Sequence, residues 1–494
     1  MLGVDRGALE VVVAHVVPNP TDGSPPNAQT GGTITHRMEG DYDVVVVGAG
    51  TGGYSAALRA SQLGKRVALV ERDERLGGTC LLRGCIPTKA LLRSAEVMDT
   101  VERASEWGVK ASAEPDWDAI KEFERRVVDK LVAGLSGLVK TRGIDVIGGT
   151  AELLPGPRVE VDGRALAATD VVIATGSRPR LLPDIALTER IVTSDQALWM
   201  PFLPRSAVVI GAGAVGLEFA SFYRSMGAEV TVLEMLPRLA PLEDEDVSKE
   251  LARAFRKRGI QAFPGTTVQT IDDLGDRVEV AYEAGVAASV SADVCLVAVG
   301  RGPVTDGLAL DEAGVELDRG FVKVDGQLQT SAPHVWAVGD VAATPLQLAH
   351  VAFAEGIAVA ERIAGLPVPD IDYSGVPRVT YSNPEVASVG LTEAQAQERG
   401  HEVTVERYDL RGLGKANILG EGGSVKVVAA KDGPVLGVHM VGPRVTDLIS
   451  EAMLITNWEA APAEVAALIH PHPTLSEAIG EAHLALAGKP LHTA

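Results

Sequence analysis

The segment DYDVVVVGAGTGGYSAALRASQLGKRVALVER, residues 41–72, decides the fold of the region around it. Its unbroken apolar run YDVVVV is typical of a central strand in a parallel sheet, which is buried on both faces. Gly48-x-Gly50-x-x-Gly53 follows at once, then a helical stretch, then a strand, RVALV, that ends in Glu71. This order predicts a βαβ unit whose glycine turn admits a pyrophosphate and whose terminal acid binds ribose hydroxyls. The alternative is a glycine-rich turn in a doubly wound sheet that binds no nucleotide.

The same pattern recurs in AVVIGAGAVGLEFASFYRSMGAEVTVLEM, residues 207–235. It contains Gly211-x-Gly213-x-x-Gly216, a helix, and a strand that ends in Glu234. In both copies the acid stands 23 residues after the first glycine. Two nucleotide-binding domains in one chain imply two cofactors, or one cofactor and one nucleotide substrate.

Glu234 bears on the choice of the second nucleotide. A carboxylate at this position accepts hydrogen bonds from free ribose hydroxyls and repels a 2′-phosphate, which favours NAD over NADP. Arg238 stands close enough in sequence to leave NADP open.

Two of the three cysteines stand in GGTCLLRGCIPTK, residues 77–89, just after the first acid. Helical periodicity follows them, so Cys85 is predicted near a helix N-terminus with Lys89 one turn further on, and both features favour a thiolate. Residues five apart in a regular helix cannot form a disulfide, so the backbone between Cys80 and Cys85 must be distorted, which Gly84 permits. The spacing predicts a redox-active disulfide, and the alternative is a pair of buried free thiols.

A redox disulfide beside the first nucleotide indicates which nucleotide that is. A nicotinamide alone does not usually pass electrons to a disulfide, whereas a flavin can take hydride and hand on two electrons. The first nucleotide is therefore predicted to be FAD. Cys295 lies within the strand-like DVCLVAVG and is predicted to be an inert core thiol.

The composition of the chain argues against several classes of partner. Its 494 residues are 46% hydrophobic and carry a formal net charge of −21, which disfavours nucleic acid and anionic membrane surfaces. No apolar run reaches the roughly eighteen residues that a membrane span needs. Three cysteines are too few for a secreted disulfide scaffold, so we expect a cytoplasmic protein. No metal site is expected, because no second Cys or His pair stands at ligand spacing near the cysteine pair and no further ligands stand near His470 and His472.

The N-terminal region differs from the rest. The segment PNPTDGSPPNAQTGGT, residues 18–33, has the composition of a linker. Asp5 and Glu10 precede it without a basic region, which makes a poor signal peptide. Residues 1–40 are therefore predicted to be a disordered leader or a mis-assigned start, with Met38 as an alternative start.

The segment IHPHPTLSEAIGEA, residues 469–482, has two interpretations. Thr474-x-x-Glu477 has the spacing of a helix capping box, and the two histidines before it could be surface loop residues. A dithiol substrate, however, must lose a proton before it attacks a disulfide, and a histidine oriented by a carboxylate suits that task near neutral pH. The spacing does not distinguish His470 from His472 as the base.

Two further strands run into glycine turns. VVIATGSRP, residues 171–179, is predicted to cross between domains near a cofactor. TSAPHVWAVGD, residues 330–340, places Gly339 and Asp340 where the aspartate could bind the hydroxyls of a ribityl chain. The alternative for the second is an ordinary turn at the end of a strand.

These motifs together resemble those of the dihydrolipoamide dehydrogenases, within the pyridine nucleotide–disulfide oxidoreductases that have two dinucleotide-binding domains. The resemblance runs from Tyr42 to the C-terminus. It is carried by GGTCLLRGCIPTK, ATGSRP, GAGAVGLEFA, AVGRGP, VWAVGD followed by LQLAH, YSNPEVASVG and HPHPTLSE. The implied fold class is α/β, with two Rossmann-like three-layer domains, for FAD and NAD, and a C-terminal α+β interface domain.

The resemblance implies roles for the reacting residues. Cys85 would lie against the flavin as the charge-transfer thiolate, and Cys80 would exchange with the substrate thiol. The motif H-P-T-x-x-E implies that His472 is the base and Glu477 its orienter, with a cis bond between His472 and Pro473. The interface domain would lend this histidine to the disulfide of a second subunit, which requires a two-fold homodimer.

The resemblance also implies cofactor contacts. Lys89 would lie near the flavin N5, paired with Glu218. The residues implied to contact FAD are Gly48, Gly50, Gly53, Glu71, Gly78, Thr79, Lys89, Thr175, Gly176, Ser177, Gly339, Asp340, Gln347, Leu348, Ala349 and His350. Those implied to contact NAD are Gly211, Gly213, Gly216, Glu218, Glu234 and Gly300.

The predicted domain organisation follows from these assignments. After the leader come residues 41–185, the first part of the FAD-binding domain; 186–305, the NAD-binding domain; 306–372, the second part of the FAD-binding domain; and 373–494, the interface domain. The expected reaction is oxidation of a protein-bound dihydrolipoyl group by NAD⁺, and the expected partners are lipoyl-bearing domains of 2-oxo acid dehydrogenase or glycine cleavage complexes.

Several departures and rival functions remain. Arg83 stands between the cysteines where many members have valine, and could favour a thiolate or alter partner docking. One rival function is that of a glutathione-type reductase, which Glu234 disfavours. The other is that of a mercuric reductase, for which C-terminal cysteines are expected, whereas no cysteine follows Cys295 in this chain. A non-catalytic flavoprotein subunit is a further alternative, although Cys80, Cys85 and His472 are all present.

Overall fold

The computed structural model describes residues 42–492, so the predicted leader lies outside the described residues. The first part of the described chain contains β1 (Tyr42–Val47), α1 (Thr51–Gln62), β2 (Val67–Glu71), α2 (Gly78–Arg83), α3 (Cys85–Glu102), α4 (Trp117–Thr141), β3 (Asp145–Gly148), β4 (Ala151–Leu154), β5 (Arg158–Val161), β6 (Arg164–Ile173) and β7 (Ser177–Pro179). The next part contains β8 (Ile191–Val192), α5 (Ser194–Ala197), β9 (Ser206–Ile210), α6 (Ala214–Ser225), β10 (Glu229–Glu234), α7 (Glu245–Lys257), β11 (Gln261–Pro264), β12 (Thr267–Asp273), β13 (Val278–Glu283), β14 (Ala287–Ala292) and β15 (Val294–Val297).

The remaining elements complete the first domain and build the C-terminal one. They are β16 (Arg301–Pro303), β17 (Leu317–Asp318), β18 (Phe321–Val322), β19 (Val335–Ala337), α8 (Ala349–Ile363), β20 (Arg378–Thr380), β21 (Glu385–Gly390), α9 (Glu393–Glu398), β22 (Val403–Asp409), α10 (Gly414–Leu419), β23 (Ser424–Ala430), β24 (Val435–Gly442), α11 (Val445–Asn457), α12 (Pro462–Val465) and α13 (Glu477–Leu486).

The first sheet places β1 at the centre of a parallel layer. Its strand order is β3-β2-β1-β6, with β19 parallel to β6 on the far side, and β6 continues into the antiparallel meander β4-β5-β6. Alternate residues of β1 face opposite layers, as a period of two requires. Val45 and Val47 pack in the core with the meander, whereas Val44 and Val46 pack in the core with Ala57 of α1 and with α8. Both faces are covered, which is why this strand is apolar throughout.

The second sheet repeats this plan. Its five strands run parallel in the order β11-β10-β9-β15-β8, and β12-β13-β14 form an antiparallel meander. Cys295, on β15, faces the meander and has no exposed surface. Burial raises the pKa of its thiol to about 12, as expected for a core cysteine without redox chemistry.

The C-terminal part contains a third sheet, which is antiparallel. Its order is β20-β21-β24-β23-β22, and the buried residues of α11 and α13 share one core with its strands. Strands β7 and β16 pair antiparallel, where the chain leaves the first sheet and where it returns from the second. The fold class predicted from the sequence is confirmed. The domain boundaries predicted there stay predictions.

Candidate active site

The first glycine turn and the first acid meet at the carboxyl edge of the first sheet. A Cβ on Gly53 would lie 1.8 Å from the Gly48 carbonyl oxygen, so helix α1 can start this close to β1 only with glycine. Glu71, at the end of the neighbouring parallel strand, accepts hydrogen bonds from the N–H groups of Ala49 (2.7 Å) and Asp73 (3.0 Å). Burial raises the pKa of Glu71. The turn and the acid therefore form one rigid unit.

A cavity of about 670 Å³ opens beside this unit. Glu71, Asp73, Lys140 and Ile144 are among the residues that line it, so it lies between the ends of β2 and β3 and helix α4. Ligands of open α/β sheets bind at the carboxyl ends of the strands, which is where this cavity lies.

The second glycine turn has the same construction. A Cβ on Gly216 would lie 1.9 Å from the Gly211 carbonyl oxygen. Glu234 accepts from the N–H groups of Ala212 (2.5 Å) and Leu236 (2.7 Å). Around Gly213 a Cβ would meet nothing within 4 Å, so the turn is open on the side from which a pyrophosphate would approach.

The two cysteines lie on two successive helices. Helix α2 carries Cys80 and ends at Arg83, and α3 begins at Cys85, so the break falls at Gly84 as the spacing required. A Cβ on Gly84 would lie 2.8 Å from the Thr79 carbonyl oxygen, which excludes a larger residue at the break. Because the helix restarts there, the two side chains come together and Cys85 lies in the first turn of α3.

The two thiols, both free in this structure, are not equivalent. A hydrogen bond from the Cys80 thiol lowers the pKa of Cys85 to about 7, against the effect of burial and with the help of the Lys89 ammonium. The same bond, together with burial, raises the pKa of Cys80. Cys85 is therefore the thiol that ionises near neutral pH. Arg83 forms an ion pair with Asp73, so its charge is matched beside the nucleotide cavity.

Lys89 joins three parts of the chain. Its ammonium donates to both carboxylate oxygens of Glu218 on α6, at 2.9 and 2.8 Å, which is the pairing that the resemblance implied. It also lies 4.6 Å from the ring centroid of Tyr381, whose N–H donates to Glu218 (2.9 Å). Burial opposes the charge on Lys89, but Glu218 outweighs it and the pKa of Lys89 is raised. A fixed positive charge therefore stands one helical turn from Cys85.

Arg301 is a site residue that the sequence analysis did not select. Its guanidinium donates to the Ser177 hydroxyl and carbonyl oxygens, both at 2.7 Å, and approaches the Thr79 hydroxyl at 3.5 Å. Ser177 donates in turn to Asp340 (2.6 Å). The arginine lies in AVGRGP, one of the motifs quoted above, so the motif itself was the available signal.

The predicted residues near the crossing of β7 and β16 also lie together. The Thr175 hydroxyl donates to the Val304 carbonyl oxygen (2.7 Å), and the Val304 N–H donates to the Gly176 carbonyl oxygen (2.9 Å). The Gly300 carbonyl oxygen accepts from the Arg180 N–H (2.9 Å). This region therefore joins the two nucleotide-binding sheets.

Glu355, a second residue that the sequence analysis missed, binds the turn after β19. Glu355, which has no exposed surface, accepts from the Gly339 N–H (2.6 Å). Gln347 donates to the Asp340 carbonyl oxygen (3.3 Å), and His350 donates to the Pro377 carbonyl oxygen (2.9 Å). Helix α8 starts here, with Leu348 as its N-cap and Ala349 as its first residue.

The C-terminal histidine and acid form a hydrogen-bonded pair. His472 Nδ1 lies 2.8 Å from Glu477 Oε1, and Glu477 Oε2 accepts from the Thr474 N–H (2.8 Å), so one carboxylate both orients the histidine and caps the turn. Burial disfavours the charge of Glu477, but these two bonds hold its pKa below the usual range. Because a carboxylate only accepts, Nδ1 carries the proton and Nε2 is left with a lone pair. The bond between His472 and Pro473 is cis, as the resemblance implied.

The structure brings the two cysteines, Lys89 and Glu218 together, but it does not bring His472 and Glu477 to them. Within residues 42–492, the hydrogen bonds of His472 and Glu477 stay in the C-terminal segment and none reaches Cys80 or Cys85. The His472 side chain is 76% exposed, so it faces away from the chain that carries it. In the same described range, no helix is long and apolar enough to span a bilayer, and no cluster of three or more His, Cys, Asp or Glu is arranged to hold a metal.

Known proteins share these features along almost the whole chain. Residues 42–356 match the pyridine nucleotide-disulphide oxidoreductases, and residues 376–483 match the dimerisation domain of the same proteins. The chain belongs to the pyridine nucleotide-disulphide oxidoreductase family. Membership implies use of a flavin and a pyridine nucleotide, and the dimerisation domain indicates a homodimer.

Within the family the similarity is to dihydrolipoyl dehydrogenases, as the motifs predicted. The chain is 44% identical to the dihydrolipoyl dehydrogenase of Bacillus subtilis, over 92% of this chain and 100% of the relative. It is 41% identical to that of Mycobacterium tuberculosis, over 90% of this chain and 98% of the relative.

Two solved structures of the family have the same fold. LpdA from Mycobacterium tuberculosis superposes with a TM-score of 0.83 at 28% identity, covering 90% of this chain and 99% of that one. The HOCl-induced flavoprotein disulfide reductase RclA of Escherichia coli, solved as a Cu(II) complex, superposes with a TM-score of 0.82 at 27% identity and the same coverage.

Proposed function

We propose that this chain oxidises protein-bound dihydrolipoyl groups to lipoyl groups with NAD⁺, using FAD and a disulfide between Cys80 and Cys85. The observation that carries the proposal is the asymmetry of the two thiols. Cys85 has a pKa of about 7 and lies beside the Lys89 charge, whereas the pKa of Cys80 is raised. Dithiol–disulfide exchange requires one sulfur that leaves readily as a thiolate and a second sulfur that the substrate thiolate can attack. Relatives that bear the name dihydrolipoyl dehydrogenase support the choice of substrate.

The residues at the first nucleotide site fit FAD. Glu71 and the turn at Gly48 to Gly53 would hold the adenosine and pyrophosphate beside the cavity between β2, β3 and α4. Asp340, already bonded to Ser177, would bind ribityl hydroxyls, and Lys89 would lie near the ring. When bound, FAD supplies the means to take two electrons from the dithiol and pass them to NAD⁺ as hydride.

The dithiol step is assigned to side chains of this chain. Nε2 of His472 of the partner subunit takes the proton of one substrate thiol. The thiolate attacks Cys80, the disulfide breaks, and Cys85 leaves as a thiolate beside Lys89. The second substrate thiol then attacks the substrate sulfur bound to Cys80, which closes the lipoyl ring, and its proton passes to the released Cys80 thiolate. Two electrons have moved from the substrate to the cysteine pair, and one proton is released.

The second site favours NAD over NADP. The Glu234 carboxylate is fixed by two backbone N–H groups at the end of β10, where it would accept from ribose hydroxyls and repel a 2′-phosphate. Arg238, which left NADP open, donates instead to the carbonyl oxygens of Pro241 (2.9 Å) and Glu243 (3.2 Å) of its own loop. Both bonds are made by Nη2, so this nitrogen is engaged by the loop, whereas Nε is buried with no hydrogen-bond partner among the described residues.

The remaining assignments belong to the same proposal. The contacts expected for FAD and NAD are those named in the sequence analysis, and the domain boundaries are those given there. Lipoyl-bearing domains of a 2-oxo acid dehydrogenase or glycine cleavage complex are the partners. The exposed, carboxylate-bound His472 suits a site completed by a second subunit. A cytoplasmic location suits a chain whose three cysteines act as thiols or as one exchanging pair.

The test is NADH formation by the purified, FAD-loaded protein with dihydrolipoamide and NAD⁺. We expect turnover with NAD⁺ and much less with NADP⁺. Replacement of Cys85→Ser should leave FAD bound but abolish dithiol turnover, whereas Cys295→Ala, which removes the core cysteine, should retain it.

Three results would contradict parts of the proposal. Unchanged dithiol turnover in the Cys85→Ser variant would refute the disulfide chemistry. Preference for NADP⁺ would refute the role of Glu234. Absence of dithiol turnover in the unmodified protein, with NADH still bleaching the flavin, would mean that another disulfide is the substrate.

A further inference from the structure

A second histidine–carboxylate pair lies two residues before the proposed base. His470 Nε2 donates to Glu451 Oε1 at 2.7 Å. Glu451 belongs to helix α11, whereas His470 stands in the loop that leads to α13, so the bond joins two separate elements. The dithiol step described above uses neither residue.

The His470 ring is buried, whereas the His472 ring is exposed. The His470 side chain is 12% exposed, against 76% for His472. Gly480 of α13 passes directly beneath it, since a Cβ there would lie 2.6 Å from His470 Nδ1. The ring is thus held between α11 and α13, and the loop that carries His472 is anchored at residue 470.

The charges around His470 alternate. The hydrogen bond that His470 donates to Glu451 raises the pKa of His470 in spite of burial, and the Glu477 carboxylate acts in the same direction. His470 in turn helps to lower the pKa of Glu477. His483 also faces the pair from α13, but burial lowers its pKa, so it is neutral when His470 is charged. His470 is therefore bonded to Glu451 and interacts electrostatically with Glu477, the hydrogen-bond partner of His472.

We propose that Glu451 and His470 are positioning residues for the base: through their hydrogen bond and the packing of the His470 ring between α11 and α13, they anchor the loop 470–473 and so fix the imidazole of His472 against Glu477. The inference rests on the proposed function, since it takes His472 to be the group that accepts the substrate proton. A pair that merely stabilises the C-terminal domain would affect folding without affecting proton transfer.

The experiment compares two activities of the same holoenzyme. Oxidation of dihydrolipoamide by NAD⁺ needs the base, whereas reduction of an artificial dye by NADH needs only nucleotide and flavin. Both are measured for Glu451→Gln and His470→Gln over a range of pH. The matched control is His492→Gln, which breaks a histidine–glutamate pair of similar length, to Glu481 at 2.8 Å.

The expected result is a selective loss. Dithiol kcat should fall by about tenfold in both variants, because small displacements of a general base cost one to two orders of magnitude. Dye reduction should stay within about twofold of the unmodified enzyme on the same reasoning. In His470→Gln the pH profile of kcat/KM should also change, since the Glu477 carboxylate that orients His472 loses a neighbour that lowers its pKa. His492→Gln should change none of these.

Two results would overturn the inference, and one further variant separates it from the proposed function. If the kcat for dihydrolipoamide and its pH profile are unchanged in both variants, the His470–Glu451 pair has only a structural role. Dye reduction that falls in parallel with dithiol turnover would show that the variants damage the whole fold. If His472→Gln loses dithiol turnover while the other two do not, only the inference fails. If His472→Gln keeps turnover, the proposed base is wrong and the inference falls with it.

Discussion

Replacement of Lys89→Met should raise the pKa of the Cys85 thiol and deplete the thiolate that the dithiol step leaves behind. Lys89 follows Cys85 by four residues on α3, and side chains at this spacing lie about 5–6 Å apart. Two unit charges at that separation attract by roughly 3 kcal/mol at an effective dielectric constant near 20, equivalent to about 2 pKa units. The pKa of Cys85 should therefore move from about 7 to about 9.

The assay is a pH titration of the long-wavelength charge-transfer absorbance of the reduced holoenzyme, which reports a thiolate against the flavin. At pH 7.5 the thiolate fraction should fall from about three quarters to a few per cent. The companion variant is Glu218→Gln. Because the Glu218 carboxylate raises the pKa of Cys85, its removal should shift the titration in the opposite direction.

Two controls separate charge from packing. Lys89→Arg keeps the positive charge and should keep the pKa of Cys85 low. Lys89→Met leaves Glu218 buried without its cation, which is destabilising, so the double variant Lys89→Met/Glu218→Gln tests whether the shift persists when no buried charge remains. If the Lys89→Met titration is unchanged, or if both single variants shift it the same way, the thiolate does not depend on this ion pair.

Three further outcomes follow from particular contacts. Glu124 on α4 has no exposed surface, and neither of its carboxylate oxygens has a hydrogen-bond partner among residues 42–492, so burial raises its pKa from 4.5 to about 8. A carboxyl whose folded pKa is raised costs stability as pH rises above the unfolded pKa, so Glu124→Met should stabilise the protein by about 3 kcal/mol at pH 7 and by progressively less toward pH 4.5, as chemical denaturation would measure. Equal gains at both pH values would show that the carboxylate is paired. Gly78→Ala should lower the flavin-to-protein ratio after purification, because Gly78 has φ +58° and a Cβ would lie 2.5 Å from the Gly50 Cα; a full flavin content would contradict the close packing of these two turns. Glu234→Gln should raise kcat/KM for NADP⁺ relative to NAD⁺, since it removes the charge that repels a 2′-phosphate, and an unchanged ratio would place discrimination elsewhere.

Much of the fold could be predicted from short stretches of sequence. A strand, a glycine turn, a helix and a terminal acid occur in the same order at Gly48 and at Gly211, and the structure builds both copies with the same steric constraint and the same acid-to-turn hydrogen bond. Such motifs are predictable because they encode local backbone geometry: residues within about 25 positions form the turn, whatever the rest of the chain does. The break between Cys80 and Cys85 was predictable for the same reason.

The side-chain contacts between distant parts of the chain could not be predicted from the sequence in the same way. Arg301 and Glu355 support Ser177 and Gly339 from segments far along the chain. The motif AVGRGP drew attention to Arg301, but nothing in it indicated that Ser177 is its partner, and no local pattern marked Glu355. Tyr381, which covers the Lys89 ammonium, comes from the C-terminal part of the chain. These contacts depend on how separate sheets dock, and docking is decided by packing between surfaces that lie far apart in sequence.

The sequence by itself determined that the chain has two glycine turns of one βαβ pattern, each followed by a strand that ends in a carboxylate, and a cysteine pair at a helix start, because each is a local arrangement of a few residues. Spacing alone could not choose between His470 and His472, since both stand between prolines in one loop. The tertiary structure gives them different surroundings: His470 is buried against Glu451 of another helix, and His472 is exposed with Glu477 bound to its Nδ1. The physical reason is that a histidine becomes a base or a structural anchor according to what packs against its ring, and that packing comes from elements that only folding brings together.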